Sequence, residues 1–431
     1  MEDSEFQSIE TASLLKTTDM NKGSFHMKKK IKLLDDIPFT RDLLLLLSLG
    51  GLYSLSVALS NTFVNIYLWK QSGDFAKIGL YNLSIVVIQP LTFILAGRLA
   101  KKVDRVIVLR AGVIFMALFY MAVLMSGSQA SRYLFLLGCL LGVGYGFYWL
   151  AFNLLTFEIT EPDTRDFFNG FMGILSSAGG MVGPVTSGFI ITRIGNFKGY
   201  MTVFGLSLTL FSLAVVLSFF LKRRPSSGSY SVIEAFKERK KNQNWKLITN
   251  AHVFQGLREG TFVFVISVYV FLSTGSELSL GTFGMINSGV SFLAYYLAAR
   301  LIKKKRRKKA ILLGGMILYA SVFLIFKDVT FPKLLLYGAS IAIAYPILLV
   351  PYMSITYDVI GTSRNAAERR VEYIVVREVF LNAGRILSIS LFLFAVTVFD
   401  WKNSLPVLLL ILGGGHTFIY FFLRKVHLST S

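Results

Sequence analysis

A single cysteine, Cys139, stands among 431 residues. That scarcity excludes an internal disulfide and argues against a thiol-based metal site. Histidine is nearly as rare: His26, His252, His416 and His427 are dispersed, and nothing about them calls for zinc, haem or a nucleotide. No catalytic constellation stands out, so neither enzymatic activity nor a resident metal or cofactor is expected. Charged residues make up only 16% of the chain, far below what a soluble domain of this size carries. No segment alternates polar and apolar residues with a period of two, which removes a transmembrane barrel. No signal peptide is visible. Residues 1–27 are polar and mixed in charge, as expected of a flexible tail, and the first apolar run should stay in the mature chain. Translation starting at Met27 instead of Met1 is equally compatible with this reading.

What the chain does have is apolar length. It is 54% hydrophobic with a mean hydropathy of +0.60, which marks an integral membrane protein. Runs able to cross a hydrocarbon layer about 30 Å thick fall near 43–68, 78–97, 106–126, 133–157, 167–192 and 199–221, then near 248–273, 278–299, 310–326, 333–358, 374–398 and 404–423. An unpaired peptide group in lipid costs several kcal/mol, so these runs must be helices. The fold class is therefore an all-α integral membrane protein with twelve transmembrane helices. The expected units are a tail and basic anchor over 1–40, a first bundle over 41–221, a basic linker over 222–247, a second bundle over 248–424 and a short tail over 425–431.

Lysine and arginine total 45 against 24 acids, a net charge of +21. They crowd the even-numbered loops: Arg98, Lys101, Lys102, Arg105 and Arg110 in the second, Lys222 to Lys246 in the sixth, Arg300 to Lys309 in the eighth. Lys28, Lys29, Lys30, Lys32 and Arg41 precede the first helix, whereas the odd-numbered loops carry only scattered cations such as Lys70 and Lys198. Positive-inside logic then puts both termini in the cytoplasm and the chain in the cell membrane. Anionic lipid headgroups are the partners this charge implies, and nucleic acid is not.

The chain also repeats itself. Tyr145, Thr156, Phe157, Glu158 and Ile159 correspond at a shift of 200 to Tyr345, Thr356, Tyr357, Asp358 and Val359. Arg165, Asp166, Phe168, Ile174, Leu175 and Ser176 correspond at a shift of 212 to Arg377, Glu378, Phe380, Ile386, Leu387 and Ser388, so the second corner holds an insertion. Arg98, Leu99, Lys101 and Lys102 match Arg300, Leu301, Lys303 and Lys304 at a shift of 202. Long-period duplication in an apolar chain indicates two pseudo-symmetric six-helix bundles.

Six plus six helices with both ends inside, basic loops after the second and eighth helices and a basic central linker resemble the major facilitator superfamily of secondary transporters, from about residue 40 to the C-terminus. A single-chain transporter in a bacterial cytoplasmic membrane, working as a monomer, is the expectation. The family's second-loop motif, Gly-x-x-x-Asp-Arg-x-Gly-Arg, is matched in part by Gly97 to Arg105. Lys101 occupies the aspartate position and Asp104 that of the second glycine, so the family's contact between that aspartate and the eleventh helix lacks its acid. Glu158 and Arg165 look like the cytoplasmic charge network of sugar porters. The resemblance makes Lys101, Asp104, Arg105, Glu158, Arg165, Asp166, Asp358 and Arg377 cytoplasmic gate residues, with Arg105 to Glu158 as one pair to test; anchoring of helix ends at the headgroups is the alternative. Gly179, Gly183, Pro184 and Gly188 resemble the glycine–proline motif of exporters, and equally suit close helix packing.

Charge at mid-membrane is expensive and therefore informative. Arg258 and Glu259 lie about three turns into the seventh helix, and Glu378, Asn382 and Arg385 share a face of the eleventh. Glu259 and Arg385 can meet across a helix interface, as a proton-coupling site with Arg258 and Glu378 nearby or as a static buried network. The first half offers uncharged stripes: Asn61 and Asn65, then Tyr145, Trp149 and Asn153. With Gln255 and Asn382 these are the candidate substrate-cavity residues, suited to a ring or an amphipathic solute. The implied function is proton-coupled export of a small amphipathic or hydrophobic compound by alternating access. Uptake of a sugar-like or other polar solute, flipping of a lipid-linked solute, and a non-transporting scaffold or sensor remain open.

Overall fold

The computed structural model describes residues 40–427 except 160, 161, 224–228, 328 and 367; the side chains at 157, 162–167, 169, 170, 196 and 299 also lie outside the description. The expected N-terminal tail and the side chains of Arg165 and Asp166 are therefore outside the described set. The first half contains α1 (Arg41–Ser72), α2 (Phe75–Lys102), α3 (Arg105–Ser126), α4 (Leu134–Ile159), α5 (Pro162–Ile194) and α6 (Asn196–Ser218). The linker contributes α7 (Val232–Lys241). The second half contains α8 (Gln243–Thr274), α9 (Glu277–Leu301), α10 (Arg307–Val322), α11 (Phe331–Gly361), α12 (Arg370–Val398), α13 (Trp401–Gly413) and α14 (Gly415–Leu423). Among the described residues, eleven helical segments are long and apolar enough to cross a membrane. The helix α9 is not one of them, although its 25 residues match the others in length. The protein is thus an all-α, multi-pass membrane protein.

The duplication is visible in the turns as well as the helices. Gly73 closes α1 at φ 60°, and Gly275 closes α8 at φ 63°. Each takes the left-handed conformation that glycine adopts without steric cost. The next residue caps the following helix in both halves: Asp74 accepts from Ala76 N, and Ser276 from Ser279 N. Packing repeats too. α1 lies against α5 and α6 as α8 lies against α12 and α14, while α4 bridges α2 and α3 as α11 bridges α9 and α10. Two seams join the halves, α5 against α9 and α2 against α12.

The last span departs from the continuous helix expected over 404–423. Gly413, Gly414 and Gly415 break it into α13 and α14. A Cβ on Gly415 would lie 2.6 Å from the Phe254 carbonyl oxygen, so the break lets α14 press backbone-close against α8. The linker helix packs on its neighbours. On α7, Arg239 hydrogen-bonds Thr249 and Asn250 at 2.8 Å each and stacks on Phe380; Glu234 pairs with Arg369. Hence α7 is docked on the second half. The residues before it reach the first half, where the Tyr230 hydroxyl donates to the Ile94 carbonyl at 2.9 Å.

Candidate functional site

Three glycines bring the buried charges of the second half together. A Cβ on Gly256 would lie 2.0 Å from Leu381 O, on Gly384 2.0 Å from Val253 O, and on Gly260 2.7 Å from Arg385 O. Only residues without side chains allow α8 and α12 this backbone approach. It delivers Glu259 to Arg385, whose guanidinium donates to the Glu259 carboxylate at 2.7 Å. The other Glu259 oxygen accepts from Gln255 Nε2 at 2.9 Å and from the Tyr345 hydroxyl at 2.9 Å. His416 Nε2 of α14 lies 4.0 Å from it. Four helices thus converge on one carboxylate.

The network continues along α8 toward the end that carries the basic loops, here called the basic end. Gln255 Oε1 meets His252 Nδ1 at 3.0 Å, and the same nitrogen contacts the Tyr352 hydroxyl. Arg377 pairs with Glu378 at 2.5 Å and reaches Tyr357 at 3.4 Å. Of the residues expected at the coupling site, Glu259 and Arg385 meet directly. Glu378 is taken by its neighbour Arg377. Arg258 turns to another face, where it lies over the Phe262 ring at 4.6 Å and against Gly415. Gln255 and Asn382, expected at the substrate cavity, are built into the α8–α12 seam; Asn382 approaches Arg385 at 3.5 Å.

The first half faces this network without charge. Tyr145 donates to Asn61 Oδ1 at 3.3 Å, and Asn82 to Asn65 Oδ1 at 2.9 Å. Trp149 stands edge-on to Tyr53 and Tyr148 and is 37% exposed, while Asn153 is half-buried. The stripes predicted along α1 and α4 therefore form one aromatic and amide surface.

At the basic end Lys101 of α2 pairs with Glu372 of α12 at 2.6 Å. Its ammonium also donates to the carbonyls of Glu368 at 2.8 Å and Ser229 at 3.1 Å, and Glu372 accepts from Ser231 N at 3.3 Å. The position that is an aspartate in the family's motif is thus a lysine that meets an acid of the eleventh transmembrane segment, and the linker residues Ser229 and Ser231 share the contact. Asp104 serves another purpose. It is buried and caps α3 through Val106 N and Ile107 N, with Arg223 at 3.5 Å. Arg105 pairs with Glu158 at 2.6 Å, and its repeat counterpart Arg307 with Asp358 at 2.9 Å. Both of these pairs stay within one half.

At the opposite end Lys70 closes α1 onto Glu277 of α9 at 2.8 Å, with Tyr200 donating to Glu277 at 3.0 Å. The glycine–proline motif divides its work. Gly179 and Gly183 pack α5 on α1, whereas Pro184 and Gly188 form the seam with α9. Sequence reading missed Glu372, Glu277, His252 and His416 as members of these networks. A lone acid just after a Gly–Ser turn, and a histidine within an apolar run, were the available signals.

The comparisons agree with this architecture. The family model described as Major Facilitator Superfamily matches residues 46–367. A Bacillus subtilis (strain 168) protein, "Uncharacterized protein YqgE", is 62% identical over 400 residues, covering 93% of each chain. A Geobacillus stearothermophilus protein, "Uncharacterized protein in sodM 3'region", is 58% identical over 197 residues, 46% of this chain and 92% of its own. The crystal structure of the human organic anion transporter MFSD10 (TETRAN) superposes with a TM-score of 0.67 at 15% identity, over 90% of this chain and all of the other, a likeness of fold. With its duplicated six-helix plan and seams at α2–α12 and α5–α9, this bacterial chain belongs to the Major Facilitator Superfamily.

Proposed function

We propose that this chain is a proton-coupled secondary transporter of the cell membrane, with both termini in the cytoplasm, that exports a small amphipathic or hydrophobic compound. The observation that carries the reading is the Glu259–Arg385 pair at 2.7 Å, held in membrane-depth helices where an isolated charge costs several kcal/mol. Protonation of Glu259 releases Arg385, so the bond pattern at the α8–α12 seam depends on the proton. Asn61, Asn65, Tyr145 and Trp149 supply the uncharged surface on which an amphipathic solute rests.

Alternating access then has two latches. Lys101–Glu372 joins the halves at the basic end, and Lys70–Glu277 joins them at the other. Both are made in this arrangement, so opening to either side breaks one while the other holds. A second reading follows from Arg385, whose side chain is 24% exposed. An organic anion that displaces Glu259 from it would be exchanged, the substrate class named for the human structural neighbour.

The test is proton release from purified, reconstituted wild type and Glu259→Gln while a compound library is added across a range of pH. Release from wild type alone identifies both the coupling group and the substrate class. Binders that release no proton from either protein sink the coupling role. Uptake of a polar solute would appear as a growth defect on one nutrient after deletion, and flipping of a lipid-linked solute as altered envelope lipids. Neither binding nor transport of any compound would leave a scaffold or sensor.

A further inference from the structure

The eighth loop carries the run Lys303, Lys304, Lys305, Arg306, Arg307, Lys308, Lys309, and the fold sorts these cations by destination. Arg307 is paired with Asp358. Lys308 donates to the carbonyls of Arg424 and Val426. Lys305, Arg306 and Lys309 have no partner among the described residues; instead they stand together at the mouth of a groove.

That groove, of about 910 Å³, runs between α9 and α10 and is floored by α11. Its walls are Leu293, Leu297 and Leu301 on one side and Leu313 on the other, with Ile343 in the floor. No acid lines it. The shape is a long apolar cleft, open along its side, with three cations at one end.

The start of α10 adds to the same potential. It opens on Arg307, Lys308 and Lys309 with no side-chain cap. Cations in a first turn run against the helix dipole, whose positive end adds to their attraction for an anion. The arrangement is unfavourable by itself and favourable with a negative group in front of it.

We infer that this groove is a binding site for an anionic diacyl phospholipid. The acyl chains lie along Leu293, Leu297, Leu301 and Ile343, and the phosphate sits among Lys305, Arg306 and Lys309. A free phosphate would use the cations and leave the apolar cleft unfilled; a zwitterionic lipid would fill the cleft and gain little from the cations. The equivalent positions in the first half, at the shift of 202, are Val103, Asp104 and Ile107, so no cation stands there to hold a phosphate. The inference is independent of the proposed transport reaction.

The test uses the intact purified protein in neutral detergent, titrated with fluorescent phosphatidylglycerol, with phosphatidylcholine of the same chains, and with glycerol phosphate as the headgroup alone. Wild type should bind phosphatidylglycerol saturably and in preference to phosphatidylcholine. At about 1 kcal/mol per cation the ceiling of that preference is roughly a hundredfold. The triple variant Lys305→Gln, Arg306→Gln, Lys309→Gln should lose the preference. Ile343→Trp, which fills the floor from a position already 47% exposed, should lower binding of both lipids. The charge-matched variant Lys303→Gln, Lys304→Gln, Lys425→Gln should behave as wild type. Equal binding by wild type and the first triple variant, equal loss in both triple variants, or full competition by glycerol phosphate would each overturn the inference.

Discussion

Lys101 and Glu372, 271 residues apart, form a 2.6 Å ion pair that ties α2 to α12 with both side chains almost fully buried. A buried pair is weak evidence for net stability, because desolvation offsets much of the attraction, yet removing one partner strands the other. Lys101→Met and Glu372→Gln should therefore each lower the unfolding free energy in detergent by about 3–5 kcal/mol, and the double variant should cost less than their sum by about 1–3 kcal/mol. Strict additivity would mean that the two side chains act separately. In transport assays each single variant should also favour opening at the basic end, read by labelling of a cysteine introduced at Ser229 in a Cys139→Ser background.

Tyr230, in the linker, lies close to that ion pair. Burial first, and the nearby Glu372 carboxylate second, raise its hydroxyl well above the ordinary tyrosine range. Because the folded value is raised, its contribution is complete below the ordinary value of about 10 and falls as pH rises beyond it. Melting temperatures measured from pH 7 to 11 should show wild type losing stability above pH 10 relative to Tyr230→Phe. Parallel curves would refute the linkage.

The α8–α12 seam depends on bare backbone. Gly384→Ala puts a methyl 2.0 Å from Val253 O, and backbone cannot step aside as a side-chain tip can. The expected loss is about 3 kcal/mol or more, at the upper end for overpacking, together with loss of substrate-linked proton release as Glu259 and Arg385 part. Gly205→Ala in α6, where nothing lies within 4 Å, should be neutral or stabilising by up to about 1 kcal/mol. Equal effects at the two sites would contradict close backbone packing as the cause.

Tyr345 donates to Glu259 at 2.9 Å. Tyr345→Phe keeps the ring and removes that donor, so a loss of about 1.5–3 kcal/mol is expected, the range for a bond to a charged group. In a Glu259→Gln background the same change should cost less, and a double-mutant cycle of melting free energies measures the difference.

At the opposite end Glu277 is buried while Lys70 is 36% exposed. Lys70→Met should therefore act on conformation more than on folding. Each 1.4 kcal/mol lost from the closed arrangement raises opening there about tenfold, detectable with a membrane-impermeant reagent at a cysteine placed at Ser273. Unchanged labelling would remove Lys70–Glu277 as a latch.

Much of this protein is dictated locally, and for that reason is legible along the chain. Apolar runs must become helices because lipid offers the backbone no other partner. Matching segments 200 to 212 residues apart reveal the duplication, and the basic loops mark one end. The meeting of Glu259 with Arg385 was within reach of sequence reading because two unlike charges at similar depth in apolar helices have few places to go. Its other partners were not. Tyr345 and His416 arrive from α11 and α14, whose rotation about their own axes is settled by packing and by the break at Gly414. Lys101 reads as the loss of an acid until α12 is seen to bring Glu372 to it. The groove between α9 and α10 exists only once α11 holds them apart. Helix, repeat and charge count follow from the order of residues along the chain and were determined by the sequence alone. Which face meets which, and which cation is left free, depends on distances between remote backbones, and only the tertiary structure decided those.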